Sequence, residues 1–504
     1  MGAQQSKSPV ETVTYEVVLD RLQSLKLEDD FVHVSSEKGA LFNGGISRQP
    51  EGLGIKTTQN WQSKLLSDPK NRLALSALSS ANPRDVLASR AAKISDQHVF
   101  NVRIPFEGAP ITNQRSSGRC WLFASTNVFR IAIMKKYNLD AFELSQAYLF
   151  FWDKLEKSNY FLENIIETAD QSLDERLVQR LLADPISDGG QWDMVYNLVE
   201  KYGLVPQALY PDSWNAMSSS TINSIVVAKL REYAVILRGL VNDPSTSATA
   251  LSATKDKMMR EVHLILTLTL GPPPSSEEEF EWTFLDKDGR ARSVVSTPHR
   301  FATDISSPEF RIASSAIAGM VSLVHDPRHA PLSLLTVDRL GNVVGGRGIT
   351  YINVEMADLK QACVAMLRAG LPVFFGSDVG KYSERTQGVM DLDLFDYEIG
   401  FNVGLYGSLG KADRLRVGES AMTHAMVLTA VHVDAEGKTV RWRVQNSWGT
   451  DVGAKGWFVM SDAWMDQFVY QAVVDPKFLT RKVRNVLSKE PIVLPLWDPM
   501  GSLA

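Results

Sequence analysis

Cysteine is scarce in this sequence, with two in 504 residues, Cys120 and Cys363. That excludes a disulfide scaffold, allows at most one bridge and points to a reducing compartment. No apolar stretch reaches the roughly 18 to 20 residues that a membrane-spanning helix requires. Neither charge sign dominates: 53 Lys and Arg against 58 Asp and Glu leave a formal net charge of −5. A near-neutral chain of this length argues against nucleic-acid binding as its main role, although a local basic patch can hide in the average. Histidine is also sparse, at eight residues. His325 and His329 have the spacing of a metal pair, but Pro327 between them breaks the helix that would align them, and no third ligand is evident. No metal or cofactor is expected.

What is present is a chain that is 44% hydrophobic and 22% charged, long enough for about three domains or one enlarged one. Residues 1–55 are polar and read as an extension with little core of its own. They begin Met1-Gly2-Ala3-Gln4-Gln5-Ser6-Lys7, which fits the N-myristoylation pattern at Gly2 as well as a plain disordered tail. One acyl chain would confer only weak, reversible membrane association. A helical pattern runs from Trp61 through Leu65, Leu66, Leu73, Leu75 and Leu78, and residues 56–220 are expected to form a mainly helical lobe. Residues 221–345 read as an inserted helical subdomain, with long helices on either side of residue 245, a Gly271-Pro272-Pro273-Pro274 breaker and an acidic run at Glu277–Glu279. From about 346 the texture becomes β-like, up to a tail at 490–504. Helices first and strands later predict an α+β fold rather than a doubly wound sheet.

The most informative stretch is Gln114-Arg115-Ser116-Ser117-Gly118-Arg119-Cys120-Trp121. A small polar loop leads into Cys120, which opens an unbroken apolar helix over 120–137. Free N–H groups and partial positive charge at a helix start stabilise a thiolate, so the Cys120 pKa is expected to be depressed. On this context alone a reactive thiol and an inert one weigh equally. Cys363 is the contrast, lying mid-helix in Leu359–Leu367 as a small core hydrophobe. A nucleophilic thiol needs a base and an orienting group. His424 stands at the start of the apolar run Ala425–Val433, and the run Val440–Val444 leads straight into Gln445-Asn446-Ser447-Trp448-Gly449. Two adjacent antiparallel strands would bring Asn446 beside His424, with the Trp448 indole shielding their hydrogen bond. Any one of these residues has an ordinary structural explanation; the combination is far less easily explained that way.

Taken together, these segments resemble the papain-like cysteine peptidases, and within them the bleomycin hydrolase branch. The likeness is carried by Gln114–Ala124, Phe142–Phe161, Asp188–Gly190, Asp338–Gly346, His424–Val433 and Glu490–Gly501, and extends from about Trp61 to the end. Ser117 stands where secreted members carry a cysteine, and Cys120 and His424 are 304 residues apart (from 120 to 424) against roughly 130 to 150 in the papain pattern. The region 221–345 covers most of that excess.

The resemblance implies a papain-like fold with a helical and a β lobe. It also implies Cys120 as nucleophile, His424 as acid and base, Asn446 as orienter, and Gln114 with the Cys120 N–H as oxyanion hole. It implies that Asp188-Gly189-Gly190 is the substrate edge and that the tail enters the cleft, where the Ala504 carboxylate meets the free α-amine of a peptide. Because the sequence ends at Ala504, where related chains carry one more lysine that they trim, no trimming is expected. The same resemblance implies a homohexamer, a cytoplasmic location, and hydrolysis of bleomycin-like amides and homocysteine thiolactone. Its second implication is nucleic-acid binding with the peptidase site secondary. Lys477, Arg481, Lys482, Arg484 and Lys489 form an acid-free basic stretch that fits either a basic inner channel of the hexamer or a solvated face.

Overall fold

The computed structural model describes residues 52–306, 319–407 and 409–503. Contacts divide the chain into two compact units: residues up to Arg90 with Asp393–Gly410, and Ala91–Leu392 with Lys411 onward. These divisions fall at different places from the 55, 220, 345 and 489 boundaries read from composition. The smaller unit holds helices Ile55–Ser67, Pro69–Leu78 and Pro83–Val86, and the short helix Tyr397–Phe401. Two of them start by the same device, Asp68 or Asn82 accepting from the N–H two residues on, with proline in the first turn. Leu65, Leu73 and Leu75 carry the helical period but remain exposed.

The larger unit combines a helical layer with a mixed sheet, an α+β arrangement. Helix Cys120–Lys136 is buried almost all round, and Gln146–Glu167 packs beside it, capped by the Ser145 hydroxyl on the Tyr148 N–H. Helices Ser220–Asn242 and Ala248–Leu270 pack on Gln146–Glu167. The sheet is built around His424–Val433, which pairs antiparallel with Val373–Ser377 on one side and Thr439–Gln445 on the other. Val469–Val474 and Trp457–Ser461 extend it outward. Central strands such as Val373–Ser377 and Val469–Val474 are buried at every position, which is why they read as continuous apolar runs rather than alternating ones.

The region 221–345 is less purely helical than its sequence reading. It also contains the hairpin Phe280–Leu285/Ala291–Ser296. Its strands Val321–Val324 and Leu334–Val337 belong to the main sheet, and the tail strand Ile492–Leu494 adds parallel to the second of them. Four-residue apolar runs are ambiguous by periodicity, and only their long-range partners reveal them as strands.

Candidate active site

The loop before Cys120 is held from several sides. Arg115 takes a left-handed φ of 57°, a conformation that a non-glycine residue adopts at a cost. Gly118 lies so close to Asp188 that a Cβ on it would be 2.7 Å from the Asp188 Cβ, and its N–H donates to Asp188 Oδ2 at 3.0 Å. Arg119, just before the helix, is fully buried. Its guanidinium grips both Asp212 oxygens at 2.6 and 3.2 Å and lies over the Phe123 and Phe150 rings. A charge taken so far from water is tolerated only with such a partner.

Cys120 is 2% exposed. Burial pushes its thiol up to about 11, against backbone N–H groups of Ala425, Trp121 and Cys120 itself that favour the thiolate. The depressed pKa expected from the helix start is therefore not what this cleft produces; desolvation outweighs the helix N–H groups. The hydrogen bond from Ala425 also puts the sulfur against the first residues of the strand that carries His424.

His424 is 4% exposed, and its Nε2 is 2.8 Å from Asn446 Oδ1. The pairing Val427↔Gln445 between the two strands delivers Asn446 to the residue across the sheet edge. Burial drives the His424 pKa down to about 4, with the Asn446 hydrogen bond opposing. With Nε2–H donated to Asn446, Nδ1 keeps its lone pair for a proton. The Trp448 ring lies 4.9 Å from the imidazole, centroid to centroid, tilted by 30°, and is itself held edge-on by Phe458.

Gln114 reaches the same place through backbone pairing. Its N–H donates to Ser447 O at 2.8 Å, the Gly449 N–H donates to Thr112 O at 3.0 Å, and Asn113 bridges Trp448. Gly449, at φ 79°, permits this approach, since a Cβ there would sit 2.5 Å from Asn113 Nδ2. The Gln114 Nε2 donates to Ser117 O at 2.6 Å and its Oε1 accepts from Ser447 Oγ at 2.7 Å. The amide orientation is therefore set by both ends, leaving one Nε2–H for an oxyanion. Ser447 had no assigned role in the sequence; its place in Asn446-Ser447-Trp448 was the available signal.

The Asp188 carboxylate is fully engaged within the protein. It takes Gly118 N–H, Ser219 Oγ, Asn223 Nδ2 at 2.7 Å and the Lys154 ammonium at 2.6 Å. Burial alone would raise its pKa, but the Lys154 charge and these hydrogen bonds hold it well below the usual carboxylate range. Its carbonyl accepts from Trp121 Nε1 at 2.6 Å. Gly190 is required by packing, because a Cβ there would be 2.5 Å from the Trp121 ring.

The tail is tied down along its length. Arg328 makes a forked ion pair with Asp498 at 2.7 and 3.2 Å, and Arg176 lies 4.3 Å above the Trp497 ring. Ser502 O accepts from Gln191 Nε2 and Ser502 Oγ donates to Met422 O, both at 2.8 Å. The tail thus reaches the residue after Gly190 on one side and lies two residues from His424 on the other. Gly2 and Ala504, singled out in the sequence, lie outside the described residues.

The remaining candidates lie apart from this site. Cys363 is buried within Met356–Arg368, where desolvation raises its thiol to about 12. His325 Nδ1 faces the Lys411 ammonium at 3.0 Å. Among the described residues no group of three or more His, Cys, Asp or Glu side chains is arranged to hold a metal ion. None of the described helices is long and apolar enough to cross a membrane.

A thiol at a helix start, an imidazole hydrogen-bonded to an amide oxygen, and a second amide fixed on the loop that leads to the thiol are the arrangement of a cysteine peptidase of papain-like fold. The chain matches the Peptidase C1-like family over residues 52–501 and belongs to it. It is 44% identical over 460 residues to bleomycin hydrolase of Rattus norvegicus, covering 90% of this chain and 99% of that one. It is 42% identical over 467 residues to "Cysteine proteinase 1, mitochondrial" of Saccharomyces cerevisiae, covering 91% of this chain and 94% of that one. The crystal structure of pepw from Lactobacillus rhamnosis HN001 superposes with a TM-score of 0.84 at 39% identity, over 90% of this chain and 99% of that chain.

Proposed function

We propose that this cysteine peptidase is an aminopeptidase, releasing N-terminal residues from peptides with a free α-amine. The supporting observation is the tail, whose Ser502 bridges Gln191 and Met422. A segment held against Gln191 and Met422, two residues from His424, would limit how much substrate can lie on that side of the scissile bond. The residues after Ser502 would then face the free α-amine of a peptide bound there.

In the proposed mechanism the Cys120 sulfur attacks the carbonyl carbon as His424 Nδ1 takes the thiol proton. Charge builds on the carbonyl oxygen, where the free Gln114 Nε2–H and the Cys120 N–H receive it. His424 then protonates the leaving amine, and the acyl–sulfur bond is hydrolysed by water that His424 deprotonates. Asn446, by holding Nε2, fixes the ring and leaves Nδ1 for this proton transfer. Trp448 keeps bulk water from the His424–Asn446 hydrogen bond, where solvent would compete.

By relationship, bleomycin-like amides and homocysteine thiolactone are further proposed substrates, a homohexamer the proposed assembly and the cytoplasm the proposed location. Two free cysteines suit a reducing compartment. The test is release of N-terminal residues from unblocked peptides and from their N-acetylated counterparts. Activity on the unblocked set alone, abolished in Cys120→Ala, is expected; equal cleavage of both sets refutes the aminopeptidase reading. Deleting Leu503 and Ala504 should weaken the preference.

A further inference from the structure

The substrate edge is not part of the sheet, so something other than strand pairing must satisfy its backbone. Helix Gln146–Glu167 supplies two lysines for this, Lys154 and Lys157, which are 1% and 5% exposed. They stand three residues apart and so share a helix face. The Lys154 ammonium donates to Ile186 O at 2.8 Å and contacts Asp188 Oδ1 at 2.6 Å. The Lys157 ammonium donates to Ser187 O at 3.0 Å and Gly189 O at 2.6 Å, pairs with Asp153 Oδ2 at 2.7 Å, and lies 5.1 Å from the Trp121 ring centroid. Four consecutive residues, 186–189, thus each offer an acceptor to one of two buried ammonium groups.

We propose that Lys154 and Lys157 are positioning residues that hold the Ile186–Gly189 backbone so that Gly190 is presented to the substrate beside Cys120. This rests on the peptidase reading above and deepens it. Three facts support it. The segment turns its carbonyls inward, toward the helix, so that the Gly189 carbonyl is not available to a peptide. No hydrogen bond within the described residues engages the backbone of Gly190 itself, which leaves its groups for pairing with an extended chain. Finally, Asp188 joins the edge to the nucleophile loop: the carboxylate that Lys154 grips also accepts from Gly118, two residues before Cys120.

Lys157→Met would fill the same volume while leaving the Ser187 and Gly189 carbonyls without their donor and the Asp153 carboxylate without this ion-pair partner. The edge should then lose its register although Cys120, His424 and Asn446 keep theirs. The readout is the division between KM and kcat in peptide hydrolysis, set beside the pH profile of Cys120 alkylation by iodoacetamide, a reagent too small to need the edge. For Lys157→Met, KM is expected to rise about tenfold or more while kcat changes by less than about threefold. The alkylation profile should stay as in the wild type, and Lys157→Arg should recover most of the KM. An unchanged KM overturns the proposal; so does a fall in binding, turnover and alkylation together, which marks general loosening. If Lys157→Met does not fold, Lys157→Gln is read by the same criteria. Failure of the aminopeptidase reading would show separately, as cleavage by the wild type that ignores N-acetylation.

Discussion

Ser447→Ala tests how far catalysis depends on the orientation of Gln114. In the wild type the Ser447 hydroxyl holds Gln114 Oε1 at 2.7 Å and Ser117 O holds Nε2 at 2.6 Å. Both side chains are buried, Gln114 at 6% and Ser447 at 3% exposure. Removing the hydroxyl leaves a buried amide oxygen without this donor, a penalty of about 1–3 kcal/mol. The amide relieves it by turning, which carries the Nε2–H away from the oxyanion position. Loss of such a donor altogether costs about 2.7–4 kcal/mol of transition-state stabilisation. Ser447→Ala should therefore lower kcat by about 5- to 150-fold, the equivalent of about 1–3 kcal/mol, and Gln114→Ala by more. The assay is steady-state hydrolysis of an unblocked aminoacyl amide, with circular dichroism as a check of folding. The double variant should be no slower than Gln114→Ala alone, because Ser447 is held to act only through that amide. A Ser447→Ala enzyme within twofold of wild type, or additive losses in the double variant, refutes the reasoning.

Asp212→Ala strands the fully buried Arg119 guanidinium, and should destabilise the protein by about 3–5 kcal/mol, read as a lower urea midpoint. Gly190→Ala drives a methyl group into the Trp121 indole, with an expected cost of about 1–3 kcal/mol and reduced peptide hydrolysis; a fully active, equally stable variant would contradict the packing described. Burial lowers the pKa of both His424 and His325 to about 4. Below about pH 6.5 the unfolded chain binds protons that the folded one refuses, so stability is complete above that pH and declines as pH falls toward 4. His325→Gln should flatten this decline in urea midpoints measured across that range; an unaltered slope argues against a buried neutral His325.

Local chemistry explains why so much of the site was legible. An unbroken apolar run after a polar loop with Cys120 at its end specifies a buried helix with the thiol at its start. The apolar runs on either side of Asp434–Lys438 specify two strands joined by a turn, and their antiparallel pairing takes Asn446 to His424. What the linear pattern hides is the long-range partner. Nothing local distinguishes Val321–Val324 or Leu334–Val337 from pieces of helix; each takes its place in the main sheet between Tyr351–Asn353, close by in sequence, and a strand more than a hundred residues away. Lys154 and Lys157 read as the polar positions of an amphipathic helix; that both point inward depends on carbonyls some thirty residues further on.

Residue types and their order by themselves pointed to the α+β class and singled out Cys120, His424 and Asn446 as candidates; their roles, and that of Gln114, came only with the family resemblance. Tertiary structure alone decided the electrostatics. A helix start favours a thiolate in isolation, yet desolvation at 2% exposure raises the Cys120 pKa to about 11 and lowers that of His424 to about 4. Solvation depends on everything packed around a group, and most of what surrounds Cys120 lies far from it in sequence. The scarcity of cysteine bounded the chemistry from the outset; the packing around Cys120 sets how far its thiol is removed from water.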